Sequence, residues 1–269
     1  MKKIAIASLA AALAASPAAA EDQFDGVYGG VAIGYDFQDS DGGEIITFDR
    51  GSNGSFGETV TTAAGANAFA PGFCGGEATS PQNADCEPDS DGAAFHARLG
   101  YDKQMGRVVL GLVAEIGTAN VSDAVSAFSV TPAFYYIERN IDYTAALRLR
   151  AGFTAGESTL VYATGGLAYA KLDQVFETSN TANSFTVFAD DNTWGYQLGG
   201  GIEQKVGKNF SVGLEYLYTD YSEDDTLIRV GRGQAPATNP FVLAGGVDFK
   251  RANDNFNLQT ARAVATYRF

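Results

Sequence analysis

Eight times along this chain, apolar residues alternate with something else at a period of two. In an extended strand one parity is one face. The clearest case is "IDYTAALRLRAGF". Ile141, Tyr143, Ala145, Leu147, Leu149, Ala151 and Phe153 share one face, against Asp142, Thr144, Ala146, Arg148, Arg150 and Gly152 on the other. The same rhythm runs through "FDGVYGGVAIGYDF", "AFHARLGYDK", "RVVLGLVAEIG", "WGYQLGGGIEQ", "FSVGLEYLYTD" and the terminal "ARAVATYRF". "TLVYATGGLAYAK" is ambiguous, with Val161, Leu167 and Tyr169 on one parity and Leu160 and Tyr162 on the other. The non-apolar parity is unusual, because it mixes glycine with charges of both signs: Arg98, Glu115, Arg148, Arg150, Glu203, Glu215 and Arg262. Aromatic residues gather near the ends of the apolar faces, among them Tyr35, Tyr101, Tyr143, Phe153, Trp194, Tyr216, Tyr267 and Phe269.

Two architectures accommodate such strands. A soluble barrel or sandwich would turn the apolar parity inward and solvate the charges. A barrel in a membrane inverts this, with apolar residues toward lipid, a polar lumen and aromatic girdles at both interfaces. Connection lengths discriminate between them. Strands two and three, four and five, and six and seven are joined by short turns ("QMG", "TAGES", "VGKN"), and the other connections are long. Strict alternation of short turns and long loops is the pattern of an outer-membrane barrel. In lipid every backbone group needs a partner, so the sheet has to close. The fold expected is therefore all-β: an antiparallel, transmembrane, up-and-down β-barrel of eight strands with long, mobile external loops. The segment "EIITFDRGSNGSFGETVTT" and the pair "DTLIRVG" and "FVLAGGVDF" also read as hairpins. They lack a clean apolar face and are assigned to the external loops, and ten strands is the alternative count.

The N-terminus supports export. "MKKIAIASLAAALAASPAAAED" has two lysines, a short apolar run and a small-residue site before Glu21, the order of a cleaved signal peptide over residues 1–20. Removing Lys2 and Lys3 takes the formal charge from −14 to −16, and so acidic an exported chain does not point to nucleic acid. Residues 21–269 then form one barrel domain. Cys74 and Cys86, the only cysteines, lie in a Gly/Pro/Asp-rich stretch, where an exported pair is expected to form a disulfide staple.

The tracts "YGGVAIGYDF", "YATGGLAYA" and "GYQLGGGIEQKVGKNFSVGLEYLYTDY", with the terminal aromatic, resemble the small outer-membrane β-barrel family, in particular opacity-type and OmpA-like surface proteins of Gram-negative bacteria. The resemblance covers the strands and not the loops. It implies residence in the outer membrane, contact with its lipids and lipopolysaccharide, and a monomeric state. It also implies that Tyr267 and Phe269 form the signal read by the barrel-assembly machinery. No cofactor is implied.

An eight-stranded barrel has a lumen just wide enough for side chains to fill. The seven lumen charges are expected to pair, since buried charges are costly unless paired; the competing reading is that they line a narrow channel for ions or small solutes. The loop from Gln38 to Gly92 holds ten carboxylates and one basic residue, Arg50. It is bracketed by two "DSDG" motifs, whose Asp39, Asp41, Asp89 and Asp91 are candidates for a cation site or for solvated turns. A loop of this kind also suits an adhesin or another ligand-binding surface protein, with the partner unidentified. Enzyme activity is not expected: His96 is the only histidine and has no recognisable nucleophile or acid partner. The face assignment places Leu110 toward lipid near the bilayer midplane and Val109 in the lumen. Leu110→Arg should then block insertion, and Val109→Arg should be tolerated beside a carboxylate.

Overall fold

The computed structural model describes residues 23–38, 45–69, 73–75, 89–222, 226–252 and 255–269. In chain order its strands are β1 (Gly26–Phe37), β2 (Ile46–Arg50), β3 (Phe73–Gly75), β4 (Gly92–Met105), β5 (Val108–Ala119), β6 (Ser122–Ser129) and β7 (Ala133–Ala155). They continue with β8 (Thr159–Thr178), β9 (Ser184–Phe188), β10 (Asn192–Lys205), β11 (Phe210–Ser222), β12 (Leu227–Gly231), β13 (Val247–Arg251) and β14 (Asn255–Arg268), with one helical turn, α1 (Pro240–Leu243), before β13.

Eight strands close on themselves in the order β1, β4, β5, β7, β8, β10, β11, β14 and back to β1, every pair antiparallel. Closure rests on the first and last strands, which run in register from Tyr28 opposite Arg268 to Phe37 opposite Gln259. No edge is left in the apolar zone, which removes the unpaired N–H and C=O groups that lipid cannot satisfy. The count is eight, not ten.

The apolar parity faces outward. Val31, Ile33, Leu99, Leu112, Ile116, Leu149, Leu198 and Leu214 are all substantially exposed, and Arg98, Glu115, Arg148, Arg150, Glu203, Glu215 and Arg262 are buried on the opposite side. In the ambiguous fifth strand, Leu160 and Tyr162 point inward and Leu167 points outward. Among the described residues no helix is long and apolar enough to cross a membrane, so the strands carry the crossing.

Leu110 is the exception to the sequence-based placement. It lies opposite Lys103 and two residues past the start of β5, at the level of the short turns rather than at mid-height. Residues at mid-height include Leu149, which pairs with Leu112 and Gly165. Val109 does face the lumen, but it is fully buried against Phe24, Leu160 and Tyr162, leaving no room for an arginine.

The long connections hold a second folded layer. β2, β13, β12 and β9 form a four-stranded antiparallel sheet beyond the barrel's long-loop end. The upper half of β7 pairs with β6 and with the upper part of β8. The segments that lacked a recognisable apolar face therefore have one. Ile46, Phe48, Ile228, Val230, Val247 and Phe249 are buried with Phe69, Tyr135, Ile137 and Phe241 in one core. Tyr135 is central, with ring centroids 5.5 Å from Phe69 and 5.9 Å from both Phe241 and Phe249. The expected hairpin over residues 44–62 does not form as such: β2 pairs with β13, from Arg50 opposite Val247 to Ile46 opposite Arg251, far along the chain rather than across its own turn. Contributions from the first, second, third and fourth loops meet in this core, so the described parts of the loops form one cap rather than four separate segments.

Candidate functional site: the charged lumen and its cap

Position in the barrel converts the alternation into stacked layers. At the short-turn end, Phe24, Val109, Leu160 and Tyr162 form an apolar plug. Above it lies a first ionic layer, in which Arg150 Nη2 is 2.9 Å from Asp102 Oδ2 and 2.8 Å from Glu203 Oε2, and Arg268 Nη2 is 2.8 Å from Asp102 Oδ2. Ser211 donates to Glu203 Oε1 at 2.6 Å, and the guanidinium of Arg150 lies 4.4 Å from the Tyr162 ring centroid.

A second ionic layer follows. Glu115 accepts from Arg148 at 2.5 Å and from Arg262 at 2.7 Å, with Arg98 Nε at 3.1 Å. Glu215 is bonded to Arg262 (Nε to Oε2, 2.7 Å), lies 3.5 Å from Arg98, and takes the Tyr162 hydroxyl at 2.9 Å. Beyond this layer His96 Nε2 is 3.1 Å from Thr144 Oγ1. An apolar layer comes next, including Ile141, Leu172, Tyr221, Phe256 and Leu258. At the base of the cap, Asp123 binds Arg139 (Nε to Oδ2, 2.7 Å) and Arg251, which also donates to the Asp123 carbonyl at 2.9 Å.

Glycine on the lumen parity makes these layers possible. A Cβ at Gly111 would stand 2.0 Å from the Asp102 carboxylate, and one at Gly100 would stand 2.2 Å from the Tyr28 ring. The Asp102 carboxylate and the Tyr28 ring therefore need bare backbone beside them, which is why glycine shares the parity of the lumen side chains.

All seven lumen charges named from the sequence lie in these two layers. The charge set expected from the sequence omits Asp102 and Arg268, although each shares the lumen parity of a residue within it, Arg98 and Arg262 respectively. It also omits the Asp123–Arg139–Arg251 cluster: Asp123 and Arg139 face each other across the β6–β7 hairpin, but Arg251 comes from β13, 128 residues beyond Asp123. Among the candidates for a cation site, Asp91 accepts the Gln38 N–H at 3.0 Å and Asp89 the Ala124 N–H at 3.3 Å. These carboxylates cap backbone at separate points. Asp39, Asp41, Cys86 and the segment 1–20 lie outside the described residues, and Cys74 is placed on β3. Among the described residues no group of three or more His, Cys, Asp or Glu is arranged to hold a metal ion. Tyr267 and Phe269 face outward, with ring centroids 5.4 Å apart and the Phe269 N–H bonded to the Val27 carbonyl.

Outside the membrane-crossing zone, two carboxylates are held below the usual aspartate range. Burial pushes Asp123 upward, but Arg139 and Arg251 on either side outweigh it. Asp248 is lowered chiefly by its two hydrogen bonds from Arg229, at 2.9 and 2.7 Å.

A family model described as outer membrane protein beta-barrel domain matches residues 5–269. The chain belongs to that family. Within it, a 31 kDa outer-membrane immunogenic protein of Brucella melitensis biotype 1 is 29% identical over 290 residues, covering 100% of both chains. A 22 kDa outer membrane protein of Rhizobium leguminosarum bv. viciae is 30% identical over 126 residues, covering 47% of this chain and 51% of that one. The crystal structure of OprG from Pseudomonas aeruginosa superposes with a TM-score of 0.49 at 13% identity, covering 93% of this chain and 100% of that one. Membership of this β-barrel family, together with the closed barrel and its outward apolar band, places the protein in the outer membrane.

Proposed function

We propose that this family member is a non-conducting surface protein: a barrel that anchors a folded, acidic cap outside the cell, contributes to envelope integrity, and offers the cap for surface interactions. The observation that carries this reading is the filled lumen. Arg148 and Arg150, at 0% and 2% exposure, are locked into two ionic layers, with an apolar layer on either side of them. Paired guanidinium and carboxylate groups in this setting leave no mobile countercharge for an ion to replace, and breaking them to open a path is costly. Surface presentation is supported by the cap, where residues from all four long connections share one core. The Brucella relative is named as immunogenic, which suits a role at the cell surface.

Planar-bilayer recording on the refolded protein tests the reading. The expected result is no discrete conductance above background in a preparation that shows a heat-dependent gel shift. Stable unitary steps from such a preparation would favour the narrow channel instead.

A further inference from the structure

The apolar belt is not uniform. On the outward face of β14, Ala263 and Ala265 sit between the larger Val31 and Ile33 of β1 and the Val212 and Leu214 of β11. These residues, with Ile202, line a groove of about 520 Å³ in the lipid-facing surface. One rung toward the short-turn end, Phe210 pairs with Tyr267. Beyond that rung is a second hollow, of about 370 Å³, lined by Lys205, Lys208, Asn209 and Arg268 with Gln23, Asp25 and Phe269. Arg268 is already held by Asp102 at 2.8 Å, and Asp25 is neutralised by Lys103 at 2.5 Å. Lys205, the last residue of β10, has its Nζ 3.0 Å from the Lys208 carbonyl and 5.6 Å from the Phe24 ring centroid, so its ammonium stands at the turn-side mouth of the barrel, and Lys208 follows on the β10–β11 turn.

Among the described residues, Lys103, Arg107, Lys205 and Lys208 stand on the rim against Asp25, Glu157 and the Phe269 carboxylate, one positive charge in excess, whereas the whole chain has a formal charge of −14. Short turns mark the periplasmic side of such barrels, so this rim meets the phospholipid leaflet rather than the external one.

We propose that the groove and the lysine hollow form a binding site for one anionic phospholipid of the periplasmic leaflet. An acyl chain lies in the groove over Ala263, the Phe210–Tyr267 rung sits at the glycerol level, and the phosphate is held by Lys205 and Lys208. The groove supplies shape and apolar contact, and the lysines select for net negative charge. Lipopolysaccharide does not compete, because the lysines face the opposite leaflet.

Native mass spectrometry of the full, folded chain tests this, with phosphatidylglycerol and phosphatidylcholine offered at equal concentration. One phosphatidylglycerol should be retained in preference to phosphatidylcholine, and Lys205→Gln with Lys208→Gln should abolish the preference, at roughly fivefold per lysine. Lys208→Gln alone, on the exposed turn, should halve the preference on a logarithmic scale, and the heat shift of each variant confirms that the barrel is intact. Ala263→Phe should weaken both lipids while leaving the headgroup preference. Equal retention of the two lipids by the unaltered protein would overturn the proposal, as would an unchanged preference in the double variant. Glycerol 3-phosphate displacing the lipid at matched concentration would also overturn it, by making the hollow a site for soluble anions.

Discussion

At the level of single residues, the lumen charges are buried against one another, so a substitution that unbalances them is costly. Arg148 is fully buried, and its partners Glu115 and Glu215 are buried with it. Glu215→Gln would leave Arg98, Arg148 and Arg262 facing a single buried carboxylate, Glu115. The expected cost is about 3–5 kcal/mol, visible as a lower urea midpoint for unfolding from vesicles. On the outer face, sign and depth decide. Leu149→Arg places a charge at mid-height and should cost roughly 2–4 kcal/mol, whereas Leu110→Arg, near the turn-side interface, should cost about 0–1 kcal/mol. Folding yields into vesicles of fixed thickness measure the difference, and equal losses would show that the membrane sits elsewhere on the barrel. Val109→Arg is expected to be damaging too, by overpacking against Phe24 and Leu160.

At the level of elements, the cap is the part most sensitive to acid. Asp123 and Asp248 have their folded-state values below the 3.8 of an ordinary aspartate. A group depressed on folding adds stability above its unfolded value and loses it as the pH falls through the folded one. The cap should therefore keep its protection from proteolysis down to about pH 4 and lose it progressively below, while the barrel holds its heat-modifiable mobility. Asp123→Asn should remove that part of the acid dependence attributable to Arg139 and Arg251, and an unchanged profile would assign the transition to other groups. Within the same core, the Phe249 side chain is fully buried beside Tyr135. Phe249→Ala should destabilise the cap by about 3–5 kcal/mol, read as faster hydrogen exchange in β12 and β13 with little change in β4 or β5.

At the level of the whole molecule, barrel and cap are separable in closure but not in sequence. The β1–β4 pairing runs from Gly26 opposite Asp102 to Asp36 opposite Gly92 and does not depend on what lies between the strands. Replacing residues 39–88 by a short flexible bridge should leave a closed barrel with a normal heat shift. It should also expose the cap core, since Ile46, Phe48 and Phe69 leave with the loop, and cleavage by added protease near β12 and β13 would report it. A binding phenotype lost on this deletion would not assign the binding to the first loop alone, because the other loops lose their packing at the same time.

The alternation in the eight long segments made the barrel, its faces and most of the lumen charges legible in advance. Strand periodicity is local, and a closed sheet in lipid admits only one way to place an apolar parity. Even the residues overlooked, Asp102 and Arg268, obey that rule. What sequence could not supply was depth along the axis, which put Leu110 at an end rather than the middle. Nor could it supply the partners of short segments. β2 is only five residues long, too short for the alternation of Ile46 and Phe48 to mark it out, and these residues acquire a buried face only when β13, brought back by the last loop, lies beside it. The same holds for Asp123, Arg139 and Arg251, which become a cluster only because the β7 extension and the cap sheet meet there. Local repetition is written in the order of residues. Contacts between irregular segments far apart in the chain are settled by packing, and only the folded structure decides them.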